Sequence, residues 1–97
     1  MSVLDLIDTE GLTEEEQLVL ASLQEKSTVV YSYGYAEGWG HHTACAIVKK
    51  GRKYYVCTSS GCSCDSNSCI DGPFYSLKET KKAVPLEYIN DLLPGDI

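Results

Sequence analysis

Three cysteines lie within eight residues of one polar stretch, Cys62-Ser63-Cys64 and then Cys69. Thiolates this close together are the donors a tetrahedral zinc site uses, so the first chemistry they suggest is metal ligation. Three donors leave one position to fill. The chain holds two histidines, His41 and His42, at the head of an apolar run from His42 to Lys49; Lys50-Gly51-Arg52 and a second run, Lys53 to Thr58, follow. Paired as antiparallel strands with Lys49 opposite Lys53, these runs set Cys45 against Cys57 and His42 against Ser60, beside the cysteines. The candidate ligand set is therefore His42, Cys62, Cys64 and Cys69. His41 or Asp71 could substitute, because a one-residue change of register exchanges the two histidines.

Two other readings use the same residues. C-x-C-x₄-C departs from the commoner C-x₂-C knuckles, and a Ser/Asn/Asp/Gly-rich stretch is also what an ordinary loop looks like, its cysteines packing as small residues and the chain needing no cofactor. Alternatively an imidazole beside Cys62 activates it as a nucleophile. No orienting group or oxyanion hole accompanies that pair, and Asp65 and Asp71 are ordinary turn residues. The balance leans against an enzyme. Five cysteines in all, an odd number, also fit reduced thiols better than a disulfide framework.

A second set of residues suggests binding. Tyr31, Tyr33 and Tyr35 repeat at strand spacing with Trp39 beyond them, either as an exposed aromatic platform or as the core face of a strand. The alternate residues Val30, Ser32, Gly34 and Ala36 are small and suit a helix packed closely against them, which would leave the tyrosines outside. Lys49, Lys50, Arg52 and Lys53 cluster at a turn with Tyr54 and Tyr55 behind, as a phosphate-contacting tip or as a solvated edge.

Residues 1–26 read as an acidic helical segment. It has a short apolar turn at Val3, Leu4, Leu6 and Ile7, then Thr13 and Glu16 at capping-box spacing before a helix over 13–26. Residues 28–58 read as a three-stranded antiparallel meander and 59–74 as a cysteine-rich loop. In 76–93, Ser76 and Glu79 open a short helix through Lys82, and Pro85 starts a last turn or two with Leu86, Ile89 and Leu93. The expected fold class is α+β, one domain over 1–97, with helices packed on one face of the sheet.

Charge narrows the function further. Of the 14 acids, seven fall in residues 1–25 (Asp5, Asp8, Glu10, Glu14, Glu15, Glu16 and Glu25) with no base among them; the eight bases all lie beyond. The net charge of −6 belongs to the first segment, on a near-neutral body. This argues against general nucleic-acid binding and favours an acidic helix that faces a basic partner. No run approaches the roughly 20 apolar residues of a membrane span, and MSVLDLIDTE has no basic start followed by an apolar stretch. A cytoplasmic protein is expected.

Two resemblances rest on these motifs. Cys-Ser-Cys after Tyr54-Tyr55-Val56, followed by Gly72-Pro73-Phe74-x-Ser76-Leu77, resembles a set of small tailed-phage proteins over about residues 42–80. The resemblance implies a non-enzymatic protein that binds and inhibits or redirects a host factor, as in counter-defence, within the cytoplasm of an infected cell. Cys62-x-Cys64 with Cys69 also resembles the SWIM zinc finger, whose pattern carries a histidine where this chain has Asp71; it implies a small zinc-stabilised binding module. Beside the host protein as partner, the aromatic and basic residues suggest a module that sequesters a small ligand or nucleotide, such as a phosphorylated signal molecule.

Overall fold

A computed structural model of the chain describes residues 4, 7, 9–36, 41–62, 65–86 and 88. The two capping-box spacings read from the sequence sit at two helix starts. Thr13 is the N-cap of α1 (Glu14–Glu25): its Oγ1 accepts from Glu16 N at 3.1 Å, and Glu16 Oε1 accepts from Thr13 N at 3.1 Å. Ser76 caps α2 (Leu77–Lys82), its Oγ accepting from Glu79 N at 3.2 Å. Each side chain satisfies a backbone donor that the first helical turn leaves without a partner.

The strands β1 (Thr28–Ala36), β2 (His42–Lys50), β3 (Lys53–Cys62) and β4 (Asp65–Phe74) form one antiparallel sheet in the order β1-β2-β3-β4. The α+β class holds, but the sheet has four strands rather than three. The expected cysteine-rich loop is largely β4, which pairs with β3 from Cys62 opposite Asp65 to Tyr54 opposite Phe74. Its residues, DSNSCIDGPF, are poor strand formers with no apolar alternation. They extend because a hairpin with β3 supplies their hydrogen bonds, while Ile70 packs on the core.

The expected placement of helices on one face is also corrected. Residues 44–48 of β2 are buried without a break, as in a strand covered on both sides. On one face Ala44, Ala46, Val48 and Cys57 pack with Leu20 and Leu23 of α1 and with Leu4, Ile7 and Leu12 before it. On the other, Cys45, Ile47 and Val56 pack with Val84 and Tyr88, joined by Tyr31, Tyr33, Phe74 and Leu77. Tyr31 and Tyr33 are thus covered by α2 and the segment after it. The small face of β1 is the one left in solvent, with Ser32 and Gly34 exposed. Burying each of Leu20, Leu23 and Ile47 stabilises the fold by about 1.5–3 kcal/mol.

The segment before α1 closes the β4 edge. A Cβ placed on Gly11 would lie 2.8 Å from Ser68 N, so only glycine lets this backbone come so close. Glu16 Oε2 accepts from Ile70 N at 2.9 Å. Together these contacts fill the hydrogen-bonding side of an edge strand that would otherwise invite another strand. After α2, a turn at Pro85 bonds its carbonyl to Tyr88 N at 2.9 Å. Leu86 in that turn is 86% exposed, and Ile89 and Leu93 lie outside the described residues.

Candidate functional site

The turn between β2 and β3 gathers cations by its geometry. Lys50 pairs with Lys53 across a two-residue loop, Gly51-Arg52. Such loops need a positive φ at the first position, which Gly51 supplies at +63°. The charges of Lys49, Lys50, Arg52 and Lys53 therefore share one tip. Beside it lies the end of α1, where the C-cap Lys26 donates its N–H to Ser22 O at 3.1 Å. Lys50 Nζ joins the two elements, donating to Ser22 Oγ and, at 3.4 Å, to Ser22 O. An ammonium group at a helix C-terminus also offsets the negative end of the helix dipole.

Between these elements runs an open cleft of about 1010 Å³, lined by Lys26, Lys49, Lys50, Arg52 and Lys53, by Ser22, Ser27, Thr28 and Gly51, and by Tyr55 and Tyr75. Five of the eight lysines and arginines of an acidic chain meet here, and among the described residues no carboxylate lines the cleft. Lysines offer point charges and arginine a planar fork of donors, the groups that bind phosphate and carboxylate. Tyr55 is half-buried and packs against the α1-side core. It is held from the β4 side by Gly72: at φ +135°, a Cβ there would stand 2.8 Å from Tyr54 O and 2.9 Å from Tyr55 Cδ1. Three residues on, Tyr75 stands at the cleft 69% exposed.

The expected binding residues divide between two places. The four bases at the turn do come together, whereas Tyr31 and Tyr33 belong to the core of the opposite face, where Lys81 Nζ sits 5.4 Å from the centre of the Tyr31 ring. The side chain of Tyr35 and all of Trp39 lie outside the described residues. The aromatic residues at the cleft are instead Tyr55 and Tyr75. Tyr55 adjoins the basic run in sequence and was legible there; Tyr75, Ser22 and Lys26 arrive from other elements and carry no such signal.

The cysteines and histidines are not brought together as expected. With two residues in the β2–β3 loop instead of three, Cys45 pairs with Thr58, and Cys57 with Ala46. The one-residue shift sends the two thiols to opposite faces of the sheet. His42 pairs with Gly61 and turns to the α1 side, its Nε2 hydrogen-bonded to Ser59 Oγ at 2.9 Å, and Ser59 Oγ to Ser68 Oγ at 2.8 Å. Cys69, next to Ser68, points to the other side, where its Sγ donates to Asp71 Oδ1 at 3.7 Å. Cys62 pairs with Asp65 and Cys69 with Thr58, so they stand four strand residues, about 13 Å, apart. Cys64 and the side chain of Cys62 lie outside the described residues, and His41 is exposed. Among the described residues no three His, Cys, Asp or Glu side chains gather around a common centre.

Two thiols are held in the protonated form. Burial is the main cause of a Cys57 pKa pushed up to about 12. Burial, then the charge of Asp71, raises that of Cys69. A thiol with a raised pKa offers little thiolate at neutral pH, which is unlike an activated nucleophile.

None of the helices among the described residues is long and apolar enough to cross a membrane. No protein-family model, curated protein or solved structure matches the chain.

Proposed function

We propose that the protein acts by binding, and that it sequesters a small phosphorylated ligand in the basic cleft between the end of α1 and the β2–β3 turn. The single observation that carries this reading is the convergence of five cationic residues on one cleft, with no carboxylate among its described lining residues, in a chain of net charge −6. A solvated turn would spread its charges into water; here Lys50 is tied to Ser22, which fixes part of the cluster in advance. Fixed donors bind an anion with less loss of freedom than mobile ones. The working compartment in this reading is a reducing cytoplasm, that of an infected cell if the phage resemblance holds. Cys45, Cys57 and Cys69, present as thiols rather than as disulfides, suit it.

A thermal-shift screen against phosphorylated metabolites tests the reading. A ligand present at 100 times its dissociation constant adds roughly 2.7 kcal/mol, equivalent to a rise in Tm on the order of 10 °C or more for a domain of this size. A flat response to every phosphorylated compound would sink it.

A second reading has its own support: an interaction protein that blocks or redirects a host factor through the outer face of α1. Leu18 is 73% exposed there among the exposed Glu14, Glu15, Gln17 and Glu25. A large apolar side chain ringed by acids suits a basic partner with an apolar pocket. Leu18→Lys would abolish capture of such a partner while leaving ligand binding at the cleft unchanged. The zinc-module reading now rests on residues 62–64, and metal analysis of protein purified without chelator tests it.

A further inference from the structure

The cleft is larger and more highly charged than one phosphate group requires. A phosphate monoester carries about −1.5 to −2 at neutral pH, whereas five cations line this rim. Lys50 is already engaged with Ser22, while Lys49 Nζ lies over the Tyr54 ring on the opposite face of the sheet. Lys26, Arg52 and Lys53 remain exposed, from the helix end, the turn and the start of β3. Three exposed charges with Lys50 fixed behind them match a chain of two or three phosphates. At about 1010 Å³ the cleft also exceeds what phosphates alone would fill, and stands at the upper end for drug-sized ligands. Ser22, Ser27, Thr28 and Gly51 also line it, and two aromatic side chains complete the lining. Tyr55 forms a wall held by Gly72, and Tyr75 offers a ring that is 69% exposed. An aromatic face in water beside a cluster of cations is the arrangement on which a planar base stacks while its phosphates are neutralised.

We infer that the ligand is a nucleoside di- or triphosphate, its phosphates held by Lys26, Arg52 and Lys53 and its base stacked on Tyr75. This rests on the reading of the cleft as a phosphate-binding site and narrows it. The acid-rich first turn of α1 and the net charge of −6 favour a short anion over a long polyanion.

Isothermal titration calorimetry on the full chain at low ionic strength tests it with five probes: ATP, GTP, inorganic tripolyphosphate, adenosine and a short oligothymidylate. ATP or GTP should bind more tightly than tripolyphosphate by roughly 5- to 150-fold, the worth of one stacked base. Tyr75→Ala should remove that advantage and leave tripolyphosphate affinity unchanged. The double variant Lys26→Gln, Arg52→Gln should weaken both kinds of probe by about tenfold or more. Because Tyr75 is mostly in solvent, its removal should spare the fold, which circular dichroism melting verifies. Tripolyphosphate binding as tightly as both nucleotides, or a nucleotide advantage that survives Tyr75→Ala, overturns the nucleotide inference and leaves the phosphate site standing. Failure of all phosphorylated probes overturns both. Oligothymidylate binding more tightly than ATP and GTP overturns the small ligand in favour of a strand.

Discussion

Replacing Glu16 with alanine should cost more than any other single change on the exposed side of α1. Its carboxylate does two things at once: Oε1 accepts from Thr13 N at 3.1 Å to complete the capping box, and Oε2 accepts from Ile70 N at 2.9 Å on the edge of β4. Hydrogen bonds to a charged acceptor contribute about 1.5–3 kcal/mol when buried. Glu16 is only partly buried and water can reach both donors after its loss, so about 1 kcal/mol each is the better figure, or about 2 kcal/mol for Glu16→Ala. Alanine itself is a good helix former and adds no penalty. Glu16→Gln keeps one neutral acceptor and turns an amide NH₂ towards the other donor, so it should cost about 1 kcal/mol. Urea unfolding at pH 7 measures both, and Glu15→Ala is the control: that exposed side chain interacts only with the helix dipole and should cost about 0.5 kcal/mol or less. The two backbone hydrogen bonds, Ile70 first, hold the Glu16 pKa below 4.5. A carboxylate with a depressed folded pKa stabilises the protein above its unfolded pKa, and this contribution is lost as pH falls through the folded value. The gap between wild type and Glu16→Gln should therefore be full at pH 6–7 and shrink below about pH 4.5. A gap that stays constant down to pH 3, or a Glu15→Ala loss equal to that of Glu16→Ala, would refute the two-bond account.

The two glycines with positive φ should respond differently to alanine. Gly51 has nothing within 4 Å of the position a Cβ would take, so Gly51→Ala should cost only the backbone penalty of about 1–2 kcal/mol, and Gly51→Asn less, by chemical denaturation. Gly72→Ala meets the same kind of penalty plus contacts of 2.8 and 2.9 Å; a loss of about 3 kcal/mol is expected, and a loss no larger than that at Gly51 would count against the packing of Gly72 on Tyr55. In alkylation followed by peptide mapping, Cys69 of the native protein should react, increasingly as pH rises. Cys45 and Cys57, both 0% exposed, should stay protected until the protein unfolds, and labelling of Cys57 at the rate of Cys69 would contradict the two-sided core.

Local signals in the sequence survive in the structure where the physics is local. Thr13 with Glu16 and Ser76 with Glu79 mark helix starts because a cap needs only neighbours three residues apart. Tyr31 and Tyr33 of β1 do share a face, as their alternation required. What alternation in β1 leaves open is which face is covered, and there β2 held the better clue: Ala44-Cys45-Ala46-Ile47-Val48 has no polar member, the mark of a strand buried on both sides. Lys50-Gly51-Arg52 reads as a three-residue turn, whereas Gly51-Arg52 alone makes it, so the expected pairings of Cys45, Cys57 and His42 each shift by one residue. β4 was hidden because Asp, Ser, Asn and Gly are depleted in strands, and its pairing with β3 is a tertiary fact. At the cleft, the basic run from Lys49 to Lys53 was plain, but Lys26, Ser22 and Tyr75 reach it from other elements.

The sealing of the β4 edge also limits how copies of this chain can aggregate. A sheet that grows into a fibril needs two usable edges, one to accept a strand and one to offer the next. From Ser68 to Pro73 that second edge is occupied by Gly11, by the Glu16 carboxylate and by a proline without an N–H. Sheet-to-sheet joining through β1 would therefore end at a closed pair related by a two-fold axis, and loss of the Glu16 contact would remove one of the stops against open-ended growth.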